Sequence, residues 1–217
     1  MDLKILSFKK ALFKKDFNIL KFTILFIIGL IFISTTIHII SMGNSFNKLE
    51  KSYIEHGHEY NREDLIEQYK QRADWILGDI NSNGFNSIVI FAMPITLIAT
   101  LFGEEKRKRT FEVLKVMPYT KYEIFFNKLL VALSAIALPF IINALIMILA
   151  WAFSPTLRIF YSVGQIIRWA LLFLYFQLPI LAFTLLFGTL TGNTFSHIIL
   201  TVIFLVFPMG FALLVSA

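Results

Sequence analysis

The residues able to act chemically lie almost entirely outside the apolar stretches of this sequence. His56-Gly57-His58-Glu59 sets two imidazoles beside a carboxylate, the donor types of a zinc site. Two histidines at i and i+2 do not share a helix face, and no further ligand accompanies them, so the group reads as a solvated loop without metal. No G-x-x-x-x-G-K-[ST] occurs, so the chain does not bind ATP by a phosphate-cradling loop. The apolar stretches hold no paired carboxylates, no metal-spaced His/Glu motif and no cysteine nucleophile; a membrane-buried hydrolase needs such groups together. They also carry no central acidic residue, which argues against proton coupling. What remains is one dense charged segment, Gly103 to Lys128, with seven basic and four acidic residues. Within it Phe111, Leu114 and Val113/Met117 recur at helical spacing. Thr110 can cap a short helix that Pro118 ends, and Thr120 with Glu123 three residues on forms a capping box for the helix that follows. A short helix with one apolar strip and many charges suits docking into a groove on a soluble partner. The docking region is expected to run from Glu104 to Lys121. Phe111, Leu114 and Met117 would fill the groove, and Glu105, Arg107, Arg109 and Glu112 would make polar contacts.

The elements that position this segment are membrane helices. Of 217 residues, 57% are hydrophobic, and mean hydropathy is +0.73. The apolar residues fall into blocks of about 20, the length that crosses ~30 Å of hydrocarbon. Five blocks fit: 22–42, 85–103, 124–152, 166–190 and 196–217. The expected fold is an all-α polytopic membrane bundle. Residues 1–21 carry six lysines against two aspartates, net +4; residues 43–84 are net −3, and residues 103–128 net +3. Basic short loops stay in the cytosol, so the N-terminus, the 104–123 coupling region and the 191–195 turn are expected inside. Residues 43–84 and the 153–165 loop are expected outside.

Residues 1–21 read as an amphipathic elbow helix lying in the interface, with Lys4, Lys10, Lys14 and Lys15 facing lipid headgroups. The outer segment is bordered by turn-rich Gly43-Asn44-Ser45 and Asn81-Ser82-Asn83-Gly84. Between them Leu65, Tyr69, Ala73, Ile76 and Ile80 keep a helical spacing, and Trp75 is expected to join that apolar face in packing. His38, Asn143, Gln177, Thr184 and His197 are expected to face the bundle interior. Pro94, Pro139, Pro179 and Pro208 fall one in each of the last four blocks. No nucleic-acid partner is expected.

The charged segment resembles the coupling stretch of permease subunits in ABC-2 type ATP-binding cassette exporters. That family shows E-x-x-x-G-T-x-E-x-L-x-x-x-P-x-[ST]-[RK] after the second span, with a lysine soon afterwards. Glu105, Thr110, Glu112, Leu114, Pro118, Thr120, Lys121 and Lys128 stand in matching places; Arg109 replaces the usual glycine. The resemblance implies a bacterial cytoplasmic-membrane protein with six spans, the sixth beyond Ala217. It implies a second permease subunit, identical or related, and two separate ATPase subunits that carry the ATP and Mg, with no cofactor in this chain. The uncharged, Phe-rich spans favour a hydrophobic or amphipathic cargo, with peptide ahead of drug or lipid. The competing expectation is a non-transporting membrane sensor or scaffold.

Overall fold

The computed structural model describes residues 9–56, 61–78, 84–107 and 119–216, of which 84–87, 104–107 and 208–216 are described as backbone. No strand occurs among the described residues. The helices are α1 Lys10–Ile31, α2 Ile37–His56, α3 Arg62–Gly78, α4 Gly84–Arg107, α5 Lys121–Phe153, α6 Pro155–Phe160, α7 Val163–Leu190 and α8 Thr194–Ser216. One π-helical turn, Phe32–Thr36, joins α1 to α2 without a break. Among the described residues three helices are long and apolar enough to cross a membrane: Lys10–His56, Lys121–Phe153 and Val163–Leu190. Shorter apolar stretches are Ile88–Gly103 and Thr194–Phe207. The chain is an all-α membrane helix bundle.

Residues 10–21 continue into the span as one helix, Lys10–Ile31, and residues 1–8 of the expected elbow lie outside the described residues. The helix also runs straight through Gly43-Asn44-Ser45, where a turn was expected. Gly43 stays helical because it is a packing contact: a Cβ there would meet Leu157 at 3.1 Å.

The contacts divide the chain into two compact units. One comprises Phe26–Val89 and Leu138–Tyr175. Here Phe46, Tyr69 and Phe160 meet ring to ring at 5.1–5.4 Å, tying α2, α3 and α6 together. The α3 face buries Leu65, Ala73 and Ile76 as its spacing predicts, together with Leu77, while Trp75 is 54% exposed and Ile80 lies outside the described residues. Asn143, fully buried, accepts from Thr36 Oγ1 at 2.7 Å and donates to the Ile28 carbonyl at 3.3 Å and the Pro139 carbonyl at 2.9 Å. It therefore pins the π-helical turn to the proline-containing stretch of α5. His38, two residues past that turn's end, is exposed rather than interior. His56 Nδ1 lies 2.9 Å from the Ser52 carbonyl of its own helix, while His58 and Glu59 lie outside the described residues.

The other unit comprises Met1–Leu25, Ile90–Ala137 and Phe176–Ala217. Gln177, Thr184 and His197 are fully buried in it, as expected for span polar groups. His197 Nε2 donates to the Thr184 carbonyl at 2.9 Å, linking α8 to α7. Gly188 lets α7 approach α4: a Cβ there would stand 3.1 Å from two carbons of the Phe102 ring.

Candidate functional site

The candidate site is built where α4 ends and α5 begins. The capping box forms as its spacing predicts. The Thr120 backbone N–H donates to Glu123 Oε2 at 2.9 Å, and the Glu123 N–H donates to Thr120 Oγ1 at 3.2 Å. Two N–H groups that the helix itself cannot satisfy are thereby used. Glu123 is doubly employed, because its Oε1 also lies 3.2 Å from the Lys9 ammonium. The Lys9 backbone N–H donates to Asn127 Oδ1 at 3.0 Å, and Asn127 Nδ2 donates back to the Glu123 carbonyl at 2.8 Å. The base of α1 is thus fastened to the first two turns of α5.

One turn further in, the Lys128 ammonium lies 3.6 Å from Asp16 Oδ2 and 4.9 Å from the centre of the Phe102 ring. Lys128 and Asp16 are both enclosed, their side chains 4% and 5% exposed. A charge withdrawn from water must be paired, and the carboxylate together with the face of an aromatic ring supplies that pairing. Phe102 also meets the His197 ring edge-on at 6.5 Å.

Of the residues expected to dock a partner, Thr120 and Lys121 fall at this fastened helix start, with Lys121 exposed and Thr120 engaged in the cap. Glu104, Glu105 and Arg107 lie on the last turn of α4, described as backbone. Arg109, Thr110, Phe111, Glu112, Leu114, Met117 and Pro118 lie outside the described residues, as does Lys4. Lys10, Lys14 and Lys15 are exposed on α1, opposite the buried Leu12, Asp16 and Leu20. Lys9 is the lysine that the fold turns toward Glu123 and Asn127. Asp16, Phe102 and Asn127 were not singled out as site residues from the sequence. Their signal was available in part, since a lone aspartate on the apolar face of a basic helix calls for a partner.

The family model described as ABC-2 family transporter protein matches residues 64–214, which run from within α3 to within α8 and take in the whole charged segment. No curated protein and no solved structure gives a significant match.

Proposed function

The chain belongs to the ABC-2 transporter family, and on that premise we propose that it is the permease of an ATP-driven exporter, worked by a separate ATPase subunit docked on residues 104–121. It is a membrane-embedded, multi-pass permease of an ABC transporter, and members of this family are the membrane component rather than the catalytic one. The observation that carries the docking reading is the anchoring on both sides of segment 104–119. Phe102 before it and Thr120 to Lys128 after it are held in one unit by the contacts above. A partner that pushes on the segment pushes on fixed helix ends.

In this reading five spans cross the cytoplasmic membrane, the N-terminus and segment 104–123 face the cytosol, and residues 43–84 face outward. The net charges of +4, +3 and −3 support that orientation. Two permease copies, identical or related, enclose the path, and two ATPase subunits carry the ATP and Mg. The cargo is hydrophobic or amphipathic, with a cationic amphipathic peptide favoured by the uncharged spans and the acidic outer segment. The docking role is tested by pull-down of the ATPase on the tagged permease. Phe111→Asp with Leu114→Asp is expected to abolish retention of the ATPase; unchanged retention would refute docking at this strip.

A further inference from the structure

The charges that the docking reading leaves unused are the buried ones. Asp16 and Lys128 lie outside the docking region, yet both are held away from water, where an apolar pair of similar volume is often at least as stable. In some proteins such a pair is retained for the geometry it specifies. The contacts around it continue in both directions. Lys128 of α5 holds Asp16 of α1 and covers the ring of Phe102 of α4. Phe102 abuts Gly188 of α7 and meets His197 of α8, and His197 bonds back to α7 at Thr184. One contiguous series of contacts therefore joins α1, α4, α5, α7 and α8 within a single unit. It starts at the helix that opens immediately after the docking segment.

We propose that Lys128 is a positioning residue that clamps α1 and α4 to the first turns of α5, so that displacement of segment 104–121 moves these helix ends as one body. The proposal rests on the reading of that segment as the ATPase-docking region. Glu123, in the preceding turn, and Asn127, next to Lys128, both hold Lys9 and form a second attachment of α1 to α5. Helix ends without independent freedom pass a displacement on instead of absorbing it.

The chain has no cysteine, so introduced ones are the only labelling sites. Spin labels at Lys14→Cys and Tyr122→Cys, both exposed, report the separation of α1 and α5 in lipid nanodiscs. Labelled chain is diluted with unlabelled chain so that only intramolecular pairs are read. The proposal expects one narrow separation that Mg-ATP with vanadate leaves unchanged in the ATPase complex. Lys128→Met and the milder Asp16→Asn broaden it and shift ATP turnover of the complex by about fivefold or more. Lys128→Arg, which keeps the charge, restores both. A wild-type separation that changes with nucleotide, or a Lys128→Met chain with narrow separation and wild-type turnover, overturns the proposal. Failure of the docking reading shows separately, as a wild-type chain that retains no ATPase. The separation in the permease alone then decides: broadening by Lys128→Met upholds the clamp, and no broadening overturns it.

Discussion

Single residues here act through how little room or water they are given. Gly188 and Gly29 make the contrast plain. A methyl at Gly188 would press on Phe102, which is buried and already flanked by Lys128 and His197, so the ring cannot give way. Gly188→Ala is expected to lower stability by about 1 kcal/mol net, overpacking outweighing the helix propensity gained. Gly29 has nothing within 4 Å of its Cβ position, and Gly29→Ala is expected to be neutral or up to about 1 kcal/mol stabilising. Thermal unfolding of the two variants in detergent separates these outcomes. Tyr161, in the loop between α6 and α7, has its hydroxyl buried without a partner, and burial pushes its pKa up to about 12. The unfolded chain releases that proton near pH 10, while the folded one holds it until about pH 12. Unfolding therefore releases a proton between those values, and stability falls as pH rises through the window. Tyr161→Phe is expected to remove this component of alkaline sensitivity and leave stability near neutral pH intact or improved, as read from unfolding midpoints against pH. At this scale the sequence was legible where the partner is local. Thr120 and Glu123 are three residues apart, and their pairing follows from spacing alone. Phe102, Lys128 and Asp16 come from three helices, and nothing in local spacing brings them together.

Elements were legible where hydrophobic length decides and obscure where packing overrides a local signal. The apolar blocks mark α4, α5, α7 and α8 because a run of about 20 apolar residues has few other uses. Gly43-Asn44-Ser45 carries a turn signal by composition, but the helix passes through it because Gly43 sits against Leu157 of α6. Amphipathicity over residues 1–21 describes equally a helix in the interface and one packed against a neighbour, and residues 10–21 continue into the span while Lys9 pairs with Glu123. The π-helical turn at Phe32–Thr36 had a faint signal in Ser34-Thr35-Thr36, three hydroxyls inside an apolar span. Widened turns of this kind recur where a helix must serve a function. Thr36→Val removes one donor to Asn143 and is expected to cost about 0.6–1.7 kcal/mol, the range for hydrogen bonds between membrane helices. Asn143→Leu breaks three bonds at once and is expected to cost more. Denaturant unfolding in mixed micelles orders the two; equal midpoints would mean that the cross-link carries no load.

For the whole molecule, family membership makes this chain the membrane component of an ABC transporter. That much was legible early, because the charged segment's motif survives as linear sequence whatever the bundle does around it. The cargo was not legible, since a path between helices is shaped by packing between residues distant in sequence, which leaves no linear trace. The central claim is that ATP hydrolysis reaches this permease through residues 104–121. It is tested most directly by purifying the tagged chain from its native membrane and assaying vanadate-sensitive ATP hydrolysis in the eluate. The account predicts hydrolysis that co-elutes with the wild-type chain and disappears with Phe111→Asp plus Leu114→Asp. A chain that elutes without any ATP-hydrolysing subunit, or a double variant that retains full hydrolysis, would contradict it.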